Sequence, residues 1–279
     1  MTPHTSPSTA TGLRWFGLTD RGKVRKNNED AFLALCFDAR EVRYLGKLGE
    51  ASLGHTDFAF AVSDGIGGAQ AGEFASRITV EKITSLLPKS YKQSAAGIEV
   101  GVDDVMTELF DQIHRALVYL AQGYEECSGM GATLSICWFT PGQMHFGHIG
   151  DSRIYHFPAG GSMQQVSHDD THVGWLLRNS KISEYEARVH PRRNMLQRAL
   201  GAGNQFVEPQ VGSVIYGKGD LFLLCTDGVV DGLFDNQLLE VLRPSLGVEA
   251  TANPAQRLVE AAVERAGRDN TTAVVIEVM

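Results

Sequence analysis

Three aspartates each lie where a short apolar run meets a turn: Asp64 closes FAFAVSDGIGG, Asp227 closes LFLLCTDGVVDG, and Asp269 precedes the run in GRDNTTAVVIEV. An apolar stretch of this length reads as a buried strand, and the glycine or turn residues beside it read as a loop at the strand's end. Acids placed on such loops can face one another across the rim of a sheet. Left unpaired they repel and take up protons, so a cluster of them is either protonated or neutralised by a bound cation. Any one of the three could simply cap its own turn, since DG and DN are turn dipeptides. Three together, joined by Glu29 and Asp30 in RKNNEDAF, point instead to a cation site. Oxygen ligands without a His or Cys cluster favour Mg²⁺ or Mn²⁺ over Zn²⁺.

The elements that must position these acids are legible in outline. Strand-like runs occur at LRWFGLT, AFLALCF, FAFAVS, ATLSICWF, MHFGHIG, RIYHF, LFLLCT and TAVVIEV, most of them rich in β-branched and aromatic residues. ATLSICWF, MHFGHIG and RIYHF, joined by the short links TPGQ and DS, read as an antiparallel meander. Helical periodicity is clearest in DDVMTELFDQIHRALVYLAQ, where Val105, Met106, Leu109, Ile113, Leu117 and Leu120 share a face. A second helix is expected over GEFASRITVEKITSLL. A third begins with Asn253 as its cap and Pro254 in its first turn and stops at Gly267. The Ser/Thr/Pro-rich start gives a flexible tail over residues 1–11, and one catalytic domain follows over residues 12–279.

Composition sets bounds. With 43% hydrophobic residues in 279, the chain has ample material for a core, and a formal net charge of −8 argues against a nucleic-acid-binding face. No run is long enough to span a bilayer and no secretory signal is present, so the reading is a cytoplasmic protein. The four cysteines, Cys36, Cys127, Cys137 and Cys225, form no CxxC pair and read as reduced thiols, three of them in or beside apolar runs. None has an arginine six positions on, so a phosphocysteine mechanism is not supported, and no Asp-x-Asp nucleophile motif of the haloacid-dehalogenase type occurs.

In order along the chain, VRKNNEDAF, VSDGIGGAQAGEFAS, GMGATLSICWF, HIGDSRIYHF, NMLQRALG, LLCTDGVVDGL and AGRDNTTAVV resemble the motifs of the bacterial protein phosphatase 2C (PPM) family of metal-dependent serine/threonine phosphatases. The resemblance implies an α+β fold, a four-layer α-β-β-α sandwich of two antiparallel sheets flanked by helical pairs, with the metal site at one end. It implies two tightly held Mg²⁺ or Mn²⁺ ions and a third, weaker one. Asp64 would bridge the two ions. Asp227 and Asp269 would complete one set of ligands, and Glu29 with the backbone carbonyl of Gly65 the other. Asp151 and Asp231 would hold the third ion, Asp30 and Asn270 would orient the ligands, and Arg25 would hold the substrate phosphate.

The activity so implied is hydrolysis of phosphoserine and phosphothreonine by water activated between two metals, acting on the phosphorylated substrates of Ser/Thr kinases. The alternative is a pseudophosphatase that binds a phosphoprotein without turnover. Family members often carry a histidine in the glycine loop, where this chain has Ile66 and Ala69, so the proton donor to the leaving group stays open, with His172 and His190 as candidates. Asp151 could instead pair with Arg153 or form a turn. The segment from about Asp170 to Arg193 corresponds to the family's flap, either a substrate selector or a surface helix-loop.

Overall fold

In the strand Asp57–Ile66 the side chains of Phe58, Phe60 and Val62 are buried on one face and those of Ala59 and Ala61 on the other. In Leu134–Thr140, Cys137 and Phe139 take the first face while Leu134, Ile136 and Trp138 take the second. Strand side chains alternate between faces, so a strand apolar on both needs a layer on each side. The structure, a computed structural model, describes residues 12–38, 40–54, 56–95, 101–204, 206–243 and 253–279. The tail expected over residues 1–11 lies outside the described residues.

Both sheets are antiparallel. The first contains eight strands and centres on Asp57–Ile66, which pairs with Asp30–Phe37 and Leu134–Thr140; Gln143–Ile149 and Gln210–Ile215 continue it outward. The second has six strands in the order Gln164–Gln165, Arg153–Phe157, Leu221–Cys225, Thr271–Val278, Gly12–Asp20, Leu48–Ser52. Between them Trp15, Phe58, Phe60, Phe139, Phe222 and Ile276 form an apolar layer. Phe139 meets the ring edges of Phe60 and Phe222 at centroid distances of 5.8 and 5.2 Å.

Among the described residues there are seven α-helices: α1 (Ala69–Ala95), α2 (Val102–Gly123), α3 (His172–Arg178), α4 (Glu184–Val189), α5 (Asp227–Gly232), α6 (Asp235–Leu242) and α7 (Pro254–Arg265). α1 and α2 cover the outer face of the eight-stranded sheet, and α5, α6 and α7 cover that of the six-stranded sheet. This is the four-layer α+β arrangement. The expected stripe on α2 is buried through Val105, Met106, Leu109, Ile113 and Leu117. The Asn253 side chain accepts from the amides of Ala255 and Gln256 at 3.0 and 3.2 Å, as a helix cap should.

One expectation is corrected. Leu134–Thr140 and Gln143–Ile149 form a hairpin, but RIYHF does not extend it; Arg153–Phe157 pairs with Leu221–Cys225 in the other sheet. Gly150, at φ +111°, turns the chain out of the first sheet. Ile154 then enters the layer between the sheets, and Tyr155 and Phe157 pack against α5–α7. Apolarity on both faces is the same demand in either sheet, so the pattern of RIYHF does not say which one it joins.

Gly150 cannot accept a side chain. Its φ is one that L residues rarely adopt, and a Cβ there would lie 2.6 Å from Cβ and Cγ2 of Thr133. Gly150→Ala should lower unfolding free energy by about 1–3 kcal/mol, read as a shift in the urea midpoint; an unchanged midpoint would contradict this crossing geometry.

Candidate metal centre

The antiparallel register places Asp30 directly opposite Asp64 on neighbouring strands, a pairing that is unfavourable for like charges. From the other sheet, Asp227 opens α5 immediately after Leu221–Cys225 and Thr226. α5 packs so closely on the Asp269–Asn270 turn that a Cβ on Gly228 would stand 2.0 Å from the Asn270 carbonyl oxygen. Asp227 and Asp269 are therefore held side by side.

Hydroxyl groups fasten the sheets together at this point. Asp30 Oδ2 accepts from Thr226 Oγ1 at 2.8 Å and from Thr272 Oγ1 at 2.6 Å, linking a strand of one sheet to a strand of the other and to the residue that precedes α5. Asn270 anchors the preceding loop: its Oδ1 accepts from the Glu29 amide at 2.8 Å, and its Nδ2 donates to the carbonyls of Arg21 and Asn27 at 3.0 Å. Both residues assigned to orienting roles thus make cross-sheet or cross-loop contacts. The threonines beside the acids, Thr226 in CTDG and Thr272 in DNTTAV, carry roles that the sequence reading passed over.

Burial, then the neighbouring acids Asp30, Asp227, Asp151 and Asp269, hold the Asp64 carboxyl well above the usual carboxylate range. Asp227 is raised in the same way, by burial and then by Asp151, Asp269, Asp231 and Asp30. Burial lifts Asp30 to about 7 despite its two hydroxyl donors. Asp151 also reaches about 7, through burial and then Asp169, and burial raises Glu29. Two hydroxyl bonds to a charged group contribute about 3–6 kcal/mol in all, no more than the several kcal/mol that stripping water from one carboxylate costs. Hydrogen bonds alone therefore do not offset the cluster's charge. Asp30 Oδ1 and Asp227 Oδ1 are buried with no hydrogen-bond partner at all.

The outer acids are held by guanidinium groups. Arg25 Nη2 lies 2.7 Å from Asp269 Oδ2, and Arg193 Nη2 lies 3.5 Å from Asp231 Oδ2. The hydrogen bond to Asp269 raises the Arg25 pKa. Arg153 does not pair with Asp151: it forks onto Asp169 at 2.8 and 2.7 Å. Asp151 is left facing Asp227 and Asp231. Glu29 Oε2 and the Gly65 carbonyl oxygen each lie 3.0 Å from the point a Cβ on Gly72 would occupy. Both oxygens thus border one spot beside α1, kept open because residue 72 is glycine. Among the described residues no three acids, imidazoles or thiols already form a closed coordination shell. Unpartnered buried oxygens, an all-oxygen donor set and mutually raised carboxyls nonetheless fit divalent cations.

Asp151, Asp227 and Asp231 open into a cleft of about 240 Å³ whose other side is formed by Thr171, Leu177 and Glu184 of the flap. α3 is capped by Thr171, which accepts from the Gly174 amide at 2.9 Å, and α4 by a reciprocal Ser183–Glu186 box. Arg188 ties α4 to the core, donating to the Leu233 carbonyl at 2.7 Å and stacking 3.8 Å above the Phe234 ring. His172 stacks on Trp175 and His190 accepts from the Arg192 amide, both within the flap. His148, which donates to the Gly150 carbonyl and accepts from Ser135, and His156, paired with Asp220, are buried structural residues. Ile66 is still strand, opposite Gly131.

A family model described as "Protein phosphatase 2C" matches residues 49–261, and the chain belongs to that family. It is 33% identical over 270 residues to the serine/threonine protein phosphatase PstP of Mycobacterium tuberculosis, a match that takes in 96% of this chain and 45% of PstP. The chain thus spans less than half the length of that relative. Against the serine/threonine phosphatase stp of Listeria monocytogenes it is 28% identical over 260 residues, covering 93% of each. Among solved structures, the Streptococcus agalactiae serine/threonine phosphatase superposes with a TM-score of 0.78 at 25% identity, over 96% of this chain and 100% of that one. The catalytic domain of PstP in complex with two manganese ions superposes at 0.74 with 30% identity, over 96% and 99%. Among the described residues, no helix is long and apolar enough to cross a membrane, and all four cysteines are free.

The raised carboxyls give stability a definite pH dependence. Asp30 and Asp151 titrate near 7 when folded but near about 3.9 when unfolded. Between those values the folded chain holds more protons, so its stability is greatest at the acid end and is lost as pH rises through about 7. In chelator, the melting temperature should fall between roughly pH 5.5 and 8. Mn²⁺ should raise it by more at the upper end, because the ion takes over the protons' role. A Mn²⁺-induced shift that is the same at both ends would count against the cluster.

Proposed function

We propose that this chain is a metal-dependent protein phosphatase that hydrolyses phosphoserine and phosphothreonine monoesters by direct attack of water. The observation that carries the reading is the pair of unpartnered buried oxygens on Asp30 and Asp227 among acids that raise one another. Family membership and the names of the relatives support it. Asp64 would serve two ions, with Asp227 and Asp269 on one side and Glu29 and the Gly65 carbonyl on the other; Asp151 and Asp231 would hold a third, weaker one. Divalent ions in such a cage would neutralise phosphate charge and lower the pKa of water towards about 7. Mn²⁺ bound to the PstP catalytic domain supports manganese, and Mg²⁺ is the other hard cation that the oxygen set suits.

The chain's own residues supply binding and orientation. Arg25 is half-exposed beside Asp269, and its planar fork matches two phosphate oxygens. Asp269 holds that fork in place until a phosphate arrives. Asp30 and Asn270 keep the two sheets and the Arg25 loop in register, so that Glu29 and Asp64 present their oxygens together. No imidazole contacts the acids among the described residues, so the leaving serine or threonine oxygen takes its proton from water ordered by Asp151 and Asp231. The flap roofs the cleft and would meet the polypeptide on either side of the phosphoresidue, which makes it the selector among the phosphorylated substrates of Ser/Thr kinases. Every acid the chemistry needs is present, which favours turnover over a pseudophosphatase.

Phosphopeptide hydrolysis should require Mn²⁺ or Mg²⁺ and vanish with excess chelator; activity that survives exhaustive chelation refutes the reading. Asp64→Asn and Asp227→Asn should abolish turnover in a folded protein. Arg25→Ala should act mainly on KM, with a loss in kcat/KM of about 1.5–3 kcal/mol, as for a hydrogen bond to a charged group. Wild-type kinetics for Arg25→Ala would confine that residue to its ion pair with Asp269.

A further inference from the structure

Thr133 fills the one-residue break between the strands Gly131–Ala132 and Leu134–Thr140 and is fully buried. It holds Asp64 by both backbone groups: its amide donates to the Asp64 carbonyl at 2.9 Å, and its Oγ1 accepts from the Asp64 amide at 2.9 Å. The same Oγ1 stands 2.7 Å from Oγ of Ser152, which is also fully buried. A hydroxyl that accepts from an amide keeps its own proton and a second lone pair, so either hydroxyl can donate in the Thr133–Ser152 bond. Ser63 Oγ donates in turn to the Thr133 carbonyl at 2.7 Å. The methyl side of Thr133 packs against Gly150, whose amide is held by Asp170 Oδ2 at 3.1 Å. One side chain therefore touches the strand backbone that carries Asp64 and the turn that carries Asp151 from one sheet to the other.

We infer that Thr133 is a positioning residue that couples the Asp64 ion sites to the weaker Asp151 site through the chain Asp64 amide, Thr133 hydroxyl, Ser152 hydroxyl. The inference rests on the metal-dependent reading above and adds a residue that touches neither ion nor substrate. Asp64 ends a strand of one sheet and Asp151 sits in the turn that crosses from that sheet to the other, and the crossing at Gly150 leaves their spacing to be set by side chains. Thr133 sets it. Its removal frees a buried Asp64 amide and unhooks the Gly150–Ser152 turn in one change. Ser152 contributes to one side alone.

The test is Mn²⁺ binding without substrate, followed by calorimetry and by the electron paramagnetic resonance of free Mn²⁺. Loss of a partner that orients a ligand costs about 10–100-fold in metal affinity. Thr133→Val, nearly the same shape without the hydroxyl, should weaken the tight and the weaker sites together by about 10-fold or more. Ser152→Ala should weaken only the weaker site, and Thr133→Ser should restore both. If Thr133→Val melts earlier but binds Mn²⁺ as wild type does, the residue is structural only and the inference is overturned. Should Thr133→Val fail to fold, Ser152→Ala decides: unchanged affinity at the weaker site overturns the coupling, and selective loss supports it. A wild-type protein that binds no Mn²⁺ would refute the metal-dependent reading itself, an outcome distinct from failure of the Thr133 variants.

Discussion

Acids that cannot all be charged at once set the terms for this end of the sandwich. Asp30 and Asp64 face each other on neighbouring strands, Asp227 approaches from the other sheet and Asp151 from the turn between the sheets, and burial together with this crowding raises the carboxyls. A protein under selection for stability alone would dissolve such a cluster with one Asn. Here hydroxyls and an amide side chain fix the acids and their loops: Thr226 and Thr272 on Asp30, Asn270 on the Glu29 loop, Thr133 on Asp64. What those groups leave unsatisfied is charge. Cations are the complement of what remains.

The rest of the fold serves that convergence. Interior packing behaves as a solid, and the ring contacts of Phe139 with Phe222 and of Trp15 with Phe58 and Phe60 lock one sheet against the other. Each acid then inherits its place from a strand or helix end. Glycines permit the closest approaches, at Gly72 beside Glu29 and at Gly228 against the Asn270 carbonyl. The flap is fixed differently, by caps within its two short helices and by Arg188 reaching the Leu233 carbonyl and Phe234. Rigid acids and a separately anchored roof suit a site that treats all phosphates alike but distinguishes the chains that bear them.

Much of this was legible in the sequence, for physical reasons. Strands buried on both faces announce themselves as unbroken apolar runs, and FAFAVS, ATLSICWF and TAVVIEV lie where they were expected. The edge strands Val42–Tyr44, Leu48–Ser52 and Gln210–Ile215 carry mostly exposed or half-buried residues, and such alternation is hard to tell from loop. DGVVDG reads as a glycine-rich loop, yet it is the whole of α5, and the absence of a Cβ at Gly228 lets that helix pack on the Asn270 carbonyl. The acids were visible as a set; their partners were not. Nothing in RGKVRK shows that Arg25 will meet Asp269, and a lone Thr in GATLS gives no sign that it will hold two acid-bearing segments. Those pairings exist only once distant strands are brought together.

The central claim is that protons occupy this cluster when cations do not. It is tested most directly by counting protons as Mn²⁺ binds, from calorimetric titrations near pH 6.5 in buffers of different ionisation enthalpy. Because ligands must be deprotonated to bind metal, the account predicts release of on the order of one proton or more per protein, growing as the pH is lowered towards 6 and fading well above 7. Tight Mn²⁺ binding with no proton release at any of these pH values would contradict it.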